Sequence, residues 1–376
     1  MTVEKILAEL VAIDSVSARS NVEIIQYLET YCKTHGFKLK RVSYIDEVGI
    51  EKINLIAIKG SDFSDDLQVE LALVGHTDTV PYDPNWSEAT TLTLRDNKLY
   101  GRGACDTKGF IASVLAAVQN LDLEQIKRPL ALVFTADEEI GLRGAKYLAQ
   151  QKALKPRFSI VGEPTSLRPI RAGKGYSLTE IVVRGREAHS AYPALGASAI
   201  FRAARLISRI EGLGPSLRQD QHPAFDPPYT TLNVGLINGG TAKNVIAGEC
   251  RFTLEWRPVP SQPSEHVLAL INEVIEEERA ADPDFDCELS KGRADSGFET
   301  SPESRLVRLL EQVTGNEAGT VAFGTEAAQM KLLGGDAVVI GPGDIREAHR
   351  TGEFVPVPEL HKCVDILEHA VRSLCL

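Results

Sequence analysis

The sequence predicts an α/β protein, an open mixed sheet with helices on both faces, interrupted by an inserted α+β domain. Three observations predict it. Short apolar runs bounded by turn residues, Asn54 to Ile58, Val69 to Val74, Leu130 to Phe134 and Ser159 to Val161, read as buried strands. Helical stretches near Phe110 to Leu121 and Gly144 to Gln151 lie between them, the alternation of an α/β sheet. From about Lys174 to Ser290 the texture changes to strand, helix, two strands, helix and a short strand, a ferredoxin-like order.

The elements follow in turn. Ser20 and Glu23 read as a capping box, after which Ile24, Tyr27, Leu28 and Tyr31 recur at helical spacing until Gly36 ends the helix. Within the insert, an alternating stretch (Tyr176 to Arg184), a helix (Ala197 to Ile210), two strands (Thr230 to Leu236, Val245 to Trp256), a helix (Glu265 to Ala280) and a last strand (Phe285 to Leu289) are expected. Glycine-rich or polar hinges flank it at 171–175 and 291–297. The expected domains are therefore 1–173 with 291–376, and an insert of 174–290. A strand (Ala337 to Ile340) and a final helix (Pro358 to Leu374) return the chain to the first domain.

Composition narrows the function. A chain of 376 residues with 43% hydrophobic content buries a sizeable core. No run approaches the roughly 20 apolar residues of a membrane span, and the start, MTVEKILAELVAID, mixes charges into its apolar residues. A soluble, cytoplasmic protein with no membrane partner is expected. Six cysteines without a Cys-x-x-Cys pair suggest neither a disulfide framework nor a thiolate zinc site, so any metal must be held by His and carboxylates. A net charge of -11 disfavours a nucleic-acid partner.

The chemistry lies at the ends of the apolar runs. Leu71 to Val74 ends in Gly75-His76-Thr77-Asp78, placing His76 and Asp78 two apart on one face of an extended strand, where an Asp can hold the second nitrogen of a metal-bound His. The glycine-rich stretch 101–109 fails both nucleotide-loop patterns: Asp106 stands where the Rossmann pattern wants Gly, and Thr107 where the phosphate loop wants it. Its glycines instead let the backbone turn so that Asp106 projects into a site. One carboxylate can bridge two cations about 3.5–4 Å apart. Leu130 to Phe134 runs into Asp137-Glu138-Glu139, whose adjacent side chains point to opposite sides, so that one can ligate a metal while the other faces its water. Glu163 follows the strand Ser159 to Val161, and His349 follows Gly341-Pro342-Gly343. Each of these alone has a plain structural reading. Together, His76, Asp106, Glu138, Glu139, Glu163 and His349 mostly follow strand-like runs, where open α/β sheets gather their sites. Their donors suit zinc, with cobalt or manganese as substitutes.

The motifs GHTDTVP (75–81), GRGACDTKG (101–109), TADEE (135–139), GEPTS (162–166), REAHSAYP (186–193), GGTAKNVIAGEC (239–250), FGTEA (323–327) and GPG…AH (341–349) occur in order over nearly the whole chain. In this the sequence resembles the co-catalytic metallohydrolase family of carboxypeptidase G and aminoacylase, and within it the acetylornithine deacetylase branch. The resemblance implies a zinc-peptidase-like fold with two metal ions, one held by His76, Asp106 and Glu163 and the other by Asp106, Glu139 and His349. It further implies Glu138 as general base, Asp78 orienting His76, and a homodimer formed through the insert, from which His189 would reach the other subunit's site. Asn244, Arg257, Thr325 and Glu326 would bind a small N-acyl amino acid, with Glu326 facing its side-chain amine. The implied reaction is hydrolysis of acetylornithine to ornithine and acetate, in arginine biosynthesis. Acetylcitrulline, succinyl-diaminopimelate and acetyl-lysine are the alternative substrates, and a metal-free binding homologue is the alternative of another class. Cys105 beside Asp106 is read as a small buried residue.

Overall fold

The computed structural model describes residues 1–290 and 292–376; Lys291, in the second expected hinge, lies outside the described residues. The chain forms two compact units, one of Met1–Arg171, Glu299–Gly319 and Thr325–Leu376, the other of Ala172–Phe298 with Thr320–Gly324. The second unit thus begins two residues before the expected insert, runs several residues past it, and takes in a short piece of the later chain.

The sheet of the first unit runs Lys38–Ile45, Glu51–Lys59, Leu130–Thr135, Gln68–His76, Lys155–Val161, Asp336–Val339. The last four strands are mutually parallel and the first two antiparallel, so the sheet is mixed and open. Leu71, Leu73, Leu130, Leu132 and Phe134 point into a helical layer that includes Val3–Ala12, Lys108–Asn120 and Val357–Cys375. Arg143–Gln150 packs on Glu51–Lys59, and Ala327–Leu333 on Lys155–Val161 and Asp336–Val339. Burial on both faces explains why the central strands read as continuous apolar runs instead of alternating ones.

Two local expectations shift. The helix Val22–Thr34 has Asn21 at its N-cap, and Ser20 Oγ accepts the N–H of Val22 at 3.4 Å, not that of Glu23. Asn21 spends its side chain on the sheet instead, exchanging hydrogen bonds with the backbone of Ile53 at 2.8 and 3.0 Å. The strand Lys38–Ile45 was not expected at all, because it is a partly exposed edge strand carrying lysine and arginine.

The second unit holds an antiparallel sheet in the order Thr231–Gly239, Glu249–Arg257, Tyr176–Arg184, Asp286–Leu289. With the helices Ala199–Glu211 and His266–Ala281 this is the ferredoxin-like arrangement. Ile181, Val183, Phe252, Leu254 and Trp256 bury one sheet face against Ala203, Leu206, Val267 and Ile271 of the helices. Among the described residues no helix is long and apolar enough to cross a membrane.

Candidate active site

The four parallel strands end at the same side of the sheet, and the candidate residues gather there. His76 closes its strand with Nδ1 3.0 Å from the main-chain carbonyl of Asp78 and Nε2 3.0 Å from Oδ1 of Asp106. The other oxygen of Asp106, Oδ2, lies 3.2 Å from Nε2 of His349. That nitrogen is also 3.1 and 3.0 Å from the two oxygens of Glu139. Asp106 therefore stands between two imidazoles, one to each oxygen. Ligand atoms of His76, Asp106 and Glu139 all lie within 4.8 Å of one another.

The electrostatics describe a crowded acidic centre. Burial drives the carboxyl of Glu138 well above its usual range, with Glu139, Glu326 and Asp106 adding to it. Burial and then Asp106 and Glu138 do the same to Glu163. Glu139 is raised chiefly by burial, and Glu326 is pushed up to about 7 by burial. Asp106 is held low: its burial is outweighed by hydrogen bonds from His349 and His76. Those contacts, with Asp106 before Glu139, lift His349 to about 10. More negative charge converges here than two imidazoles balance, and a divalent cation relieves that condition. The donors, imidazole nitrogen and carboxylate oxygen, fit such ions.

Asp78 does more than face His76. Its carboxylate stays 3.7 Å from Nδ1 and instead accepts the main-chain N–H groups of Glu138 and Glu139, at 3.0 and 3.2 Å. Ser17 Oγ donates to the same carboxylate at 2.7 Å. The stretch from Ile13 to Arg19 runs along this strand end: Ser15 Oγ donates to the Thr77 carbonyl, Ser17 N–H to that of Thr79, and buried Lys108 to that of Ile13.

Several supporting residues escaped sequence reasoning. Lys52 pairs with Asp137, which precedes the Glu138-Glu139 pair, and Tyr44 donates to the same carboxylate at 2.8 Å. Arg102 pairs with Glu353, four residues beyond His349. Only the adjacency of Asp137 to a Glu pair and the spacing of Glu353 from His349 could have pointed to them.

The expected substrate residues divide between the units. Thr325 and Glu326 belong to the first, where Thr325 Oγ1 accepts the N–H of Ala327 at 3.2 Å. Glu326 is fully buried, and neither carboxylate oxygen has a hydrogen-bond partner among the described residues. In the second unit, His189 sits on a two-residue strand paired with Val245–Ile246, its Nδ1 accepting the N–H of Ala191, and exposed Asn244 accepts the N–H of Ser190 through its carbonyl. Arg257 lies 4.1 Å over the ring of Tyr176 and pairs with Glu255 at 2.9 Å. Cys105 is buried, which pushes its thiol well above the usual range.

An open α/β sheet that gathers these donors at its strand ends has the makings of a metal-dependent hydrolase. Residues 72–373 match the model of peptidase family M20/M25/M40, and the chain belongs to that family. It is 51% identical over 370 residues to an acetylornithine deacetylase of Myxococcus xanthus, covering 98% of this chain and 96% of the relative. It is 34% identical over 377 residues to an acetylornithine deacetylase of Proteus mirabilis, covering 98% and 95%. Among solved structures it resembles an M20 family metallo-carboxypeptidase of Sulfolobus solfataricus, with a TM-score of 0.78, 21% identity and 98% of each chain covered. A tripeptidase of Staphylococcus aureus gives a TM-score of 0.77 at 23% identity, covering 99% and 97%.

Proposed function

We propose that this enzyme hydrolyses N2-acetyl-L-ornithine to L-ornithine and acetate, a step of arginine biosynthesis. The observation that carries the reaction type is Asp106, buried and offering one oxygen to each of two imidazoles, with Glu138 beside it. The substrate is supported by the two acetylornithine deacetylases to which the whole chain is similar.

In this reading His76, Asp106 and Glu163 hold one divalent cation, and Asp106, Glu139 and His349 a second. The cations, when bound, supply a water acidified towards neutral pH and a Lewis acid for the acyl carbonyl. Zinc suits the donors best, with cobalt or manganese as substitutes. Glu138 takes the proton of the attacking water and delivers it to the departing amine. Asp78 fixes the peptide that carries Glu138, and its carbonyl fixes the ring of His76. His189 of one copy donates to the developing oxyanion in the other copy's site. Asn244 and Arg257 take the substrate carboxylate, for which a guanidinium fork is suited. Thr325 and Glu326 complete the substrate contacts.

The enzyme acts as a cytoplasmic homodimer in this reading. Six free cysteines fit a reducing compartment. The edge strand Thr231–Gly239 leaves Leu236 72% and Ile237 58% exposed, and Phe201 of the helix Ala199–Glu211 is 71% exposed. An apolar sheet edge of this kind calls for a cover, which a second copy supplies.

The test is acetate release from a panel of acylated amino acids by metal-loaded protein, with Glu138→Ala as control. Acetylornithine should be cleaved fastest by a large factor, with the control slowed by about 10²-fold or more. Preference for acetylcitrulline or acetyl-lysine, or succinate release from succinyl-diaminopimelate, would overturn the substrate while leaving the chemistry. No cleavage of any member would overturn both and favour a binding homologue.

A further inference from the structure

Glu353 is fully buried, four residues beyond His349 in the chain. Its Oε1 accepts two main-chain N–H groups, those of Cys105 at 2.9 Å and Asp106 at 3.0 Å. Its Oε2 accepts Nη1 of Arg102 at 2.5 Å, and its own carbonyl accepts the N–H of Gly101 at 3.1 Å. Arg102, also buried, sends Nη2 to the carbonyl of Pro81 at 3.2 Å, five residues past His76. Glu353 thus holds the Asp106 loop at two places, Gly101 and Arg102 through its carbonyl and one carboxylate oxygen, and Cys105 and Asp106 through the other oxygen.

A buried ion pair is weak evidence for stability, because desolvating both charges offsets most of their attraction. What an apolar pair could not do is aim two N–H groups at a single oxygen. That contact fixes the peptide between Cys105 and Asp106, and with it the direction in which Asp106 leaves the backbone. The direction matters because the two oxygens of Asp106 face different imidazoles, at 3.0 and 3.2 Å. A small rotation would favour one at the expense of the other.

We infer that Glu353, backed by Arg102, is a positioning residue that locks Asp106 and the His349 segment into one unit and so sets the affinity for the cation shared by Asp106, Glu139 and His349. The inference rests on the two-cation reading above. His76 and Glu163 follow strand ends that Glu353 does not touch, so the other cation depends on it less. Outer partners of metal ligands commonly account for about 10- to 100-fold in metal affinity.

The experiment is calorimetric titration of the metal-free full chain with cobalt(II) alone, read in parallel by visible absorption. Wild-type protein should bind two equivalents. In Glu353→Gln one step should weaken by roughly 10- to 100-fold and the other far less, beside a lowered melting temperature of the metal-free protein because buried Arg102 loses its partner. Excess cobalt(II) should then restore kcat with KM unchanged. Because Glu353→Gln removes a charge from beside buried Arg102, the pair Arg102→Met/Glu353→Met, which removes both charges, is measured alongside; the same unequal loss of affinity is expected. Two steps of wild-type affinity in either folded variant would overturn the inference, and so would a lowered melting temperature with both affinities intact. Failure of the wild-type protein to bind two equivalents would instead overturn the two-cation reading and the inference with it.

Discussion

Lys52 and Asp137 form an ion pair of 2.9 Å between side chains that are each 1% exposed. The same ammonium donates to the carbonyls of Ser17, at 2.5 Å, and Arg19, at 2.8 Å. Asp137 has a positive φ of 55° and leads directly into Glu138. The pair therefore holds the segment that presents the proposed base. Breaking it from one side leaves a buried carboxylate without its cation, which typically costs about 3–5 kcal/mol. Lys52→Met should lose that much in urea unfolding, and a loss under about 1 kcal/mol would show the pair to be dispensable.

Removing the proposed base should separate catalysis from metal binding. Glu138→Ala should lower kcat by about 10²–10⁴-fold, the usual range for a general base. Its cobalt(II) stoichiometry should not change, since the five proposed ligands remain. Comparable turnover by the variant would move the base elsewhere.

Glu326 gives a pH signature. Its carboxyl is pushed up to about 7 by burial, against roughly 4.3 in an unfolded chain. The folded state therefore holds the proton more tightly than the unfolded one. The associated stability is fully present below the unfolded value and is lost as pH rises through about 7. In metal-free protein Glu326→Gln should abolish that loss, gaining on the order of 3–4 kcal/mol over wild type at pH 8 relative to pH 4. Parallel stability curves for the two proteins would show that Glu326 titrates at the same pH in the folded and unfolded states.

Oxyanion and carboxylate contacts predict different kinetic losses. His189→Ala should cost about 10²–10³-fold in kcat, and near-normal turnover would remove it from the reaction. Arg257→Ala should act mainly on KM. If KM is unchanged, the stacking of Arg257 on Tyr176 and its pairing with Glu255 are the whole of its role.

The exposed sheet edge predicts an assembly defect. Leu236→Asp places a charge on the edge strand where a second copy would lie, and should yield monomer in sedimentation at concentrations where the wild type is dimeric. A wild type that is monomeric under the same conditions would remove the dimer from the proposal.

The fold was legible where burial is one-sided in its demands. Leu130 to Phe134 must be apolar on both faces, and the strand Leu130–Thr135 is found there. Lys38–Ile45 answers mainly to its antiparallel neighbour, so its sequence carries no comparable mark. The candidate site was legible because strand ends concentrate chemistry and because His76, Asp106, Glu138, Glu139, Glu163 and His349 are residue types with few structural reasons to follow apolar strand-like runs. Its support was not legible. Lys52 and Ser17 reach carboxylates 85 and 61 positions further along the chain, Glu353 lies beyond the last motif, and nothing local in the sequence marks a Lys or Ser as bound for a carboxylate elsewhere. Asp78 shows the same limit from within a motif: its proximity to His76 could be read, but its carboxylate serves the N–H groups of Glu138 and Glu139, some sixty residues on.

The run from Ile13 to Arg19 lies well upstream of residue 72, where the family match begins. It nevertheless braces Asp78 through Ser17 and supplies carbonyls to Lys52 and Lys108. A minimal fragment trimmed to the matched span would retain all five proposed ligands and the proposed base, yet strip Asp78 of the Ser17 hydroxyl, Asp137 of the Lys52 ammonium and buried Lys108 of its acceptor at Ile13. For anyone shortening, fusing or circularly permuting this chain, the first twenty residues belong with the catalytic apparatus and are poor candidates for removal.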